Sequence, residues 1–293
     1  MEKQLSIIIP TYQDPQLLSW TLACLEKNTL SKAAYEVLVC DDGSTKDNLS
    51  IVKQYEDRLT IRYFYQPNRG FCPGQARNMG IDHAKGQYCL FLDTGILLSK
   101  DALAHFLTHA KMHQGAVLGY IEGFSNEPLE NIRDLISLED IDGSILRLEK
   151  AGYVDRREVG YQQYGEDLMK WPACWVYFSG GMTLIPRSIL TQIGGFDERF
   201  TQWGGEDVEL GLRLYLAGYP ISLCKKAKGI HYPHAKRNQI EDWEAFVANL
   251  KTQRQMIYQK FPLPEVYVWA NQHLNSDTFN AYLVEKLGLE DWR

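Results

Sequence analysis

An α/β fold, with a mostly parallel central sheet flanked by helices, is predicted by three features of this 293-residue sequence. Short apolar runs alternate with helix-like segments through the first hundred residues in the order βαβαβαβ, which is typical of parallel sheets. Apolar residues make up 45% of the chain and charged residues 23%, a composition that is ordinary for a globular protein and argues against a disordered one. No window holds the roughly 18 apolar residues that a membrane span needs.

The first half of the chain contains four predicted strands. The run LSIII (5–9) is continuous, apolar and β-branched, as in a buried parallel strand, and Asp14-Pro15 is a typical start for a helix over 15–28. The further predicted elements are strands at 35–40, 61–65 and 88–92 and helices at 46–56 and 75–84.

Polar side chains follow three of these strands. Thr11-Tyr12, Asp41-Asp42 and Asp93 each come where an apolar run stops. Ligands of open parallel sheets bind at the carboxyl ends of the strands, so these three clusters predict one binding site along one edge of the sheet.

The second half is less regular. The stretch 123–172 is charged and has no strand period, which leaves either an acceptor-side insertion or surface helices. Order resumes at 179–186, and a helix is predicted over 206–217, followed by strand-like segments that end near His231. Residues 241–260 read as a helix, and the tail to residue 293 as helical and peripheral.

Charge and cysteine content narrow the possible partners and location. The 31 Lys and Arg against 37 Asp and Glu give a net charge of -6, which disfavours nucleic acid as a partner. The six cysteines form no CxxC pair, and we expect buried thiols in a reducing cytosol. The apolar run after MEKQ is too short for a signal peptide, so a cytoplasmic location is expected.

Several familiar motifs are absent, and a different set is present. GxxxxGK[ST], a GxGxxG after the first strand, HExxH and GxSxG do not occur. The segments SIIIPTYQ (6–13), VLVCDDGS (37–44), NRGFCPGQARNMGI (68–81) and YCLFLDTG (88–95) resemble those of GT-A fold glycosyltransferases of family 2. The later FTQWGGEDVELGLRL (200–214) is similar to the carboxyl half of galactosyltransferase-type members.

This resemblance covers about 230 residues and implies a GT-A, or nucleotide-diphospho-sugar transferase, fold. It divides the chain into a nucleotide-binding half (1–122), an acceptor-binding half (123–240) and a helical C-terminal extension (241–293). It also implies carbohydrate biosynthesis, with a UDP-hexose or UDP-N-acetylhexosamine as donor. The acceptor stays open among carbohydrate, lipid-linked, peptide and small-molecule nucleophiles, as does peripheral membrane contact through the C-terminal helices.

The resemblance assigns a group of residues to the donor. A carboxylate at Asp41 or Asp42 would accept the uracil N3–H or bind the ribose, although Asp-Asp-Gly-Ser also suits a turn or a helix cap. Gly180-Gly181 would let the backbone approach the donor sugar. The nucleotide-sugar residues that the resemblance implies are Thr11, Tyr12, Asp41, Asp42, Arg77, Asp93, Thr94 and Gly181.

A divalent metal, Mn²⁺ or Mg²⁺, is a further implication. The resemblance assigns it to Asp93 and His231, with His234 as a competing ligand. Gly95 stands where the family's DxD signature has its second aspartate, so metal dependence stays open. Without a metal, Lys236-Arg237 would neutralise the diphosphate instead.

The WGGED segment carries the implied chemistry. Asp207 would be the general base of an inverting transfer, because a carboxylate must accept the proton of the attacking hydroxyl. Trp203 would stack on the acceptor and Glu206 would bind a hydroxyl; the alternatives are a core tryptophan and acids that merely suit a helix N-terminus. Three further aromatic residues could contact the acceptor or could equally well be core residues: Trp171, Trp175 and Tyr177.

Two other functions compete with this hypothesis. Gly95 favours a non-catalytic module that binds a nucleotide-sugar or a glycan on the same fold. A nucleotidyltransferase would show a glycine-rich basic loop after the first strand, where this chain has TYQDPQ.

Overall fold

A computed structural model describes residues 3–123, 129–234, 243–272 and 276–287. Eight strands build one mixed sheet. They are β1 (Leu5–Thr11), β2 (Tyr35–Asp41), β3 (Ile61–Tyr65), β4 (Tyr88–Leu92), β5 (Ile96–Leu98), β6 (Ala116–Glu122), β7 (Met182–Pro186) and β8 (Ile221–His231). Their order across the sheet is β3-β2-β1-β4-β7-β6-β8-β5.

Twelve α-helices within the described ranges surround this sheet. The first seven are α1 (Pro15–Lys27), α2 (Asn48–Lys53), α3 (Pro73–His83), α4 (Ala102–Met112), α5 (Leu129–Arg133), α6 (Ile141–Lys150) and α7 (Glu158–Tyr164). The others are α8 (Arg187–Ile193), α9 (Glu206–Leu216), α10 (Trp243–Lys260), α11 (Pro264–Asn271) and α12 (Ser276–Leu287).

The central strands are buried on both faces. In β1, Ile7 and Ile9 belong to the apolar cluster under α1, α2 and α4, whereas Ile8 belongs to the cluster under α3, α8 and α9. All three side chains have no exposed surface. This arrangement explains why the run LSIII is continuous rather than alternating, and it confirms the predicted α/β class.

The pairing directions place many strand ends at one edge of the sheet. β1 pairs in parallel with β2 and β4, and β2 with β3. β7 runs antiparallel to both β4 and β6, and β8 is parallel to β6. The carboxyl ends of β1, β2, β4, β6 and β8 therefore share an edge with the amino end of β7. We call this edge the rim.

The four strands predicted in the first half are all present, and the predicted helix start is confirmed. Asp14 caps α1 by accepting the Leu17 N–H at 3.2 Å, with Pro15 in the first turn. β5, α4 and β6 were not predicted. Between residues 123 and 172, the described part contains α5, α6 and α7, which matches the surface-helix alternative in its secondary structure.

The C-terminal helices are integral to the core, so the expectation of a peripheral tail is wrong. Ile257, Trp269 and Phe279 belong to the largest buried apolar cluster, which also contains Trp175. The Trp175 ring lies 5.5 Å from that of Trp269 and 6.0 Å from that of Phe279. The predicted division at residue 240 falls outside the described residues and stays a prediction.

Two further sequence expectations can be compared with the structure. All six cysteines are buried and none forms a disulfide, as expected for structural thiols. None of the described helices is long and apolar enough to cross a membrane.

Candidate active site

A buried arginine joins the carboxylates that the sequence singled out. Arg77 lies on α3 and is 3% exposed. Its guanidinium contacts Asp93 Oδ1 at 2.9 Å, Asp207 Oδ1 at 3.2 Å and Glu206 Oε1 at 3.5 Å. The three acids come from the end of β4 and the start of α9, so this ion-pair cluster connects the two halves of the chain.

Two groups hold the Asp207 carboxylate. The backbone N–H of Gly180 donates to it, and Arg77 Nη1 donates to its Oδ1 at 3.2 Å. A Cβ atom at Gly180 would lie 2.5 Å from Asp207 Oδ1, so only glycine permits this approach. The sequence predicted that Gly180-Gly181 would admit the donor; the structure shows that this backbone also packs against the carboxylates.

Burial sets the acid–base character of this cluster. It raises the pKa of Asp207 above the ordinary value, against the opposing effect of Arg77. Burial also raises the pKa of Glu206, and the neighbouring Asp207 carboxylate adds to that rise. A carboxylate with a raised pKa is a stronger proton acceptor, which is the property that a general base requires.

The aspartate pair after β2 divides into two environments. Asp41 is fully buried, and its oxygens accept from Ser44 N at 2.7 Å, Asn48 Nδ2 at 2.7 Å and Tyr63 Oη at 2.8 Å. These bonds make Asp41 a support for the turn, which is the alternative that the sequence left open.

Asp42 lies nearer the surface of the rim. It is 6% exposed, and it accepts from Gln66 Nε2 at 2.7 Å and Cys72 N at 2.9 Å. Burial raises its pKa, and these two donors oppose the rise. Of the two aspartates, Asp42 is the better placed to meet a ligand.

Thr11, Tyr12 and Thr94 lie at the ends of β1 and β4. Thr11 is 3% exposed, and its Oγ1 has no hydrogen-bond partner in the described structure. The Tyr12 hydroxyl accepts from Asn68 Nδ2 at 2.9 Å, which links it to the 68–81 segment. Thr94 Oγ1 donates to the Pro10 carbonyl at 2.9 Å, so this hydroxyl ties two strand ends together.

Asp93 and Gly181 are in direct contact across β4 and β7. The Asp93 N–H donates to the Gly181 carbonyl at 2.8 Å, and a Cβ atom at Gly181 would lie 2.9 Å from Asp93 Oδ2. The Asp93 carboxylate contacts Arg77 on one side. Because the side chain is 41% exposed, it also faces the open rim.

The residues that the structure describes do not build a metal site by themselves. Gly95 has a φ of +93°, and a Cβ atom there would lie 3.3 Å from a Leu17 methyl group, so an aspartate would be strained and would meet an apolar neighbour. No group of three or more His, Cys, Asp or Glu that could hold an ion occurs in the described part of the chain.

His231 nevertheless lies at the rim, because it is the last residue of β8. The sequence predicted this position at the end of a late strand. It lies opposite Ile96 in the β5–β8 ladder, and the Tyr232 N–H donates to the Gly95 carbonyl at 2.9 Å. Its ring is 5.2 Å from that of His234. Lys236 and Arg237 lie outside the described residues.

Exposure separates the aromatic candidates. Trp203 is 48% exposed in the turn before α9, as a residue that stacks on a ligand must be. The three alternatives, Trp171, Trp175 and Tyr177, are at most 4% exposed and are core residues.

Comparison with known proteins identifies the family. The family model for glycosyl transferase family 2 matches residues 6–194, which is more than half of the chain. The chain belongs to glycosyl transferase family 2. A second model, described as the N-terminal domain of galactosyltransferase, matches residues 164–237.

Named relatives of this family 2 chain are glycosyltransferases. Validoxylamine A glucosyltransferase of Streptomyces hygroscopicus subsp. jinggangensis is 33% identical over 98% of this chain and 68% of its own length. Chondroitin synthase of Escherichia coli is 32% identical over 88% of this chain, and hyaluronan synthase of Pasteurella multocida is 34% identical over 81%. The matches span only 38% and 25% of those two synthases.

Solved structures confirm the GT-A fold of this family 2 member. Staphylococcus aureus TarS 1-349, in complex with UDP-GlcNAc, superposes with a TM-score of 0.63 at 20% identity, covering 97% of this chain and 71% of that one. A mannosyltransferase from Pyrobaculum calidifontis, solved with GDP-Man and Mn²⁺, gives 0.61 at 18% identity, covering 98% and 71%.

Sequence reasoning missed one charged residue beside this family 2 site. Arg156 is exposed and lies near enough to Asp207 for its guanidinium to lower the pKa of that carboxylate. Its neighbours Asp155 and Arg157 are buried and ion-paired at 2.5 Å, which fixes the loop. No pattern in the run DRRE (155–158) indicates that Arg156 lies near Asp207. The location of Arg156 depends on a tertiary contact with β6, in which Ile121 N donates to Asp155 Oδ2 at 2.8 Å.

Proposed function

We propose that this chain is an inverting glycosyltransferase that moves a hexose or N-acetylhexosamine from a UDP-sugar to an acceptor nucleophile. The observation that carries the proposal is the ion-pair cluster of Arg77 with Asp93, Glu206 and Asp207 at the rim. It places a partly exposed, doubly held carboxylate beside the edge where ligands of such sheets bind.

The donor is assigned to the nucleotide-binding half of the rim. Asp42 would meet the uracil or ribose, with Thr11 and Tyr12 framing the base. Arg77, Asp93, Thr94 and Gly181 would line the diphosphate and the sugar. Asp41 keeps a supporting role through its three internal hydrogen bonds.

Asp207 is the proposed general base. Arg77 and the Gly180 N–H hold its carboxylate, so the oxygen that does not contact Arg77 is assigned to the acceptor proton. As that proton moves to Asp207, the acceptor oxygen bonds to the anomeric carbon and the bond from this carbon to the UDP oxygen breaks. Trp203 would stack on the acceptor, and Glu206 would bind a hydroxyl.

The proton transfer and the bond exchange above are assigned to protein groups, and a divalent metal would add charge stabilisation at the leaving diphosphate. Asp93 and His231 are the two protein groups that the resemblance assigns to Mn²⁺ or Mg²⁺, and they are fewer than the ligands that an ion needs. A cation that accompanies the donor would therefore rely on the diphosphate for further oxygens.

The relatives suggest the first substrates to test. Validoxylamine A glucosyltransferase matches 98% of this chain, whereas the chondroitin and hyaluronan synthases are matched over a small part of their length. We therefore choose UDP-glucose with validoxylamine A as the first pair, followed by UDP-GlcNAc and simple glycosides.

The decisive experiment uses the full chain and an Asp207→Asn variant. The wild type is expected to release UDP in the presence of an acceptor, and the variant is expected to lose a factor of roughly 100 to 10,000 in kcat because the proton acceptor is gone. Calorimetric Kd values for UDP should agree within about twofold, because Asp207 is assigned to the acceptor side.

Two outcomes would contradict the proposal. Near wild-type transfer by the variant would exclude Asp207 as the base. Tight UDP binding without turnover across the donor and acceptor panel, with and without Mn²⁺, would favour the non-catalytic module that Gly95 suggested.

A further inference from the structure

We propose that Asn249 and Gln253 of α10 are positioning residues that hold the turn Trp203–Gly205, and through it the general base, in place for the acceptor. The inference rests on the proposed function, because it assigns this turn to the acceptor side. Asn249 and Gln253 themselves lie beyond the segments that resemble family 2 and its galactosyltransferase-like half.

A short relay of amide hydrogen bonds connects α10 to the turn. Asn249 Nδ2 donates to the Trp203 carbonyl at 3.0 Å, and Gln253 Nε2 donates to Asn249 Oδ1 at 3.0 Å. Gln253 is 5% exposed, so the base of the relay is buried. Because Gln253 occupies the acceptor oxygen of Asn249, the Asn249 amide nitrogen is oriented toward the turn.

The turn also packs on the same helix. Gly204 and Gly205 have φ angles of +93° and +103°, a conformation that favours glycine. Cβ atoms at these positions would lie 3.2 Å from Leu250 Cδ2 and 3.2 Å from Gln253 Cβ, respectively. The backbone of the turn therefore lies directly on one face of α10.

An aromatic contact extends this face to the exposed ring. The Trp203 indole lies 5.3 Å from the Phe246 ring, one turn before Asn249 on α10. The helix thus fixes both the backbone of the turn and the ring that we assign to the acceptor.

The turn leads directly into the base. Gly205 caps α9, where its carbonyl accepts the Glu209 N–H at 2.8 Å, and Asp207 is the second residue of that helix. The far end of α10 is anchored to α9 as well, since Lys260 Nζ contacts Glu209 Oε1 at 2.6 Å. A shift of the turn relative to α10 would change the position of Asp207 relative to Gly180 and Arg77.

The test compares two isosteric substitutions on the same helix. Asn249→Asp removes the donor to Trp203 and sets a carboxylate against its carbonyl, whereas Gln255→Glu makes the same chemical change where the amide donates to Asn271 Oδ1 at 2.9 Å. Asn249→Ala removes the donor without adding charge. Measurements are deuterium uptake over residues 200–209, the calorimetric Kd for UDP, and acceptor kinetics with UDP-glucose and validoxylamine A.

We expect both Asn249 variants to exchange about fivefold faster or more over 200–209, as follows from the loss of one hydrogen bond. Their kcat/KM for the acceptor should fall roughly 10- to 100-fold, because small displacements of a base are costly, with the UDP Kd unchanged. Gln255→Glu should match the wild type in all three measurements.

Equal exchange in Asn249→Asp and Gln255→Glu would overturn the inference. Faster exchange with unchanged acceptor kinetics would overturn the positioning role. A wild type that binds UDP but transfers nothing with any acceptor of the panel would instead contradict the proposed function, and with it the acceptor-side role.

Discussion

Arg77 connects the parts of the candidate site, because it contacts acids from both halves of the chain. A guanidinium with 3% exposure would be costly to bury alone, and here three carboxylates compensate it. The same contacts raise the pKa of Arg77, so it stays charged. Its planar group reaches Asp93 through one nitrogen and Asp207 through another, a geometry that a lysine ammonium does not reproduce.

Replacing this arginine tests how much the cluster contributes to stability. Arg77→Met keeps an unbranched apolar stem but removes the guanidinium, which leaves buried acids without their cation. We expect the free energy of unfolding in urea to fall by about 3–5 kcal/mol. The matched control is Arg58→Met, because Arg58 pairs with Glu26 at 2.8 Å on the surface, where such pairs contribute about 1 kcal/mol or less. Similar losses in the two variants would contradict the proposed importance of the buried cluster.

The residues of this cluster were predicted from the sequence one by one, but their contacts were not. Arg77 and Asp207 are 130 positions apart, and no local pattern indicates that they touch. Gly180 is a similar case, since the Gly-Gly pair was visible while its role in admitting the Asp207 carboxylate depends on packing. Asp41 was grouped with Asp42 because adjacent acids look alike in a sequence, although in the folded chain they have different hydrogen-bond partners.

At the scale of elements, the sequence predicted the strands that are apolar throughout because both of their faces are buried. β1 and β4 are buried on both faces and are continuous apolar runs. β6 was missed because AVLGYIE contains a glycine and ends in Glu122, features that argue against a buried strand until its neighbours are known. The insertion of β7 between β4 and β6 is likewise set by tertiary packing.

The C-terminal helices show how packing overrides an apparent extension. α12 places Phe279 and Leu283 in the main core with no exposed surface, and Asn280 Oδ1 accepts the Ala173 N–H at 2.7 Å. The segment 173–177 lies just before Gly180, so these helices support the backbone of the site.

Truncating the buried ring of α12 tests this integration. Phe279→Ala is expected to lower the free energy of unfolding by about 3–5 kcal/mol, because it removes a fully buried aromatic group and leaves a cavity. Lys286→Ala on the same helix is the control; its side chain is 56% exposed, and we expect a change within about 0.5 kcal/mol. Urea unfolding followed by circular dichroism measures both. A Phe279→Ala variant as stable as the control would mean that α12 is not coupled to the core.

At the scale of the whole molecule, the rim contains an acidic residue that the proposed mechanism does not use. Glu122 ends β6 at this edge and is fully buried. Burial raises its pKa to about 8, and the Glu149 carboxylate adds to the rise, whereas Lys228 opposes it. A buried carboxyl group that holds its proton near neutral pH makes the stability of the entire fold depend on pH.

The sign of this dependence follows from proton binding. With a folded pKa of about 8 against an ordinary value of 4.5, Glu122 binds more protons in the folded state throughout the interval between them. Its contribution to stability is therefore complete below pH 4.5 and is lost as the pH rises toward 8, at no more than about 1.4 kcal/mol per pH unit.

Glu122→Gln removes this titration while preserving the volume of the side chain. In urea unfolding at pH 5, 6, 7 and 8, the variant should gain stability relative to the wild type with each step, while Glu285→Gln, on a side chain that is 70% exposed, should follow the wild type. Parallel curves for Glu122→Gln and the wild type would show that Glu122 loses its proton as readily in the folded chain as in the unfolded one.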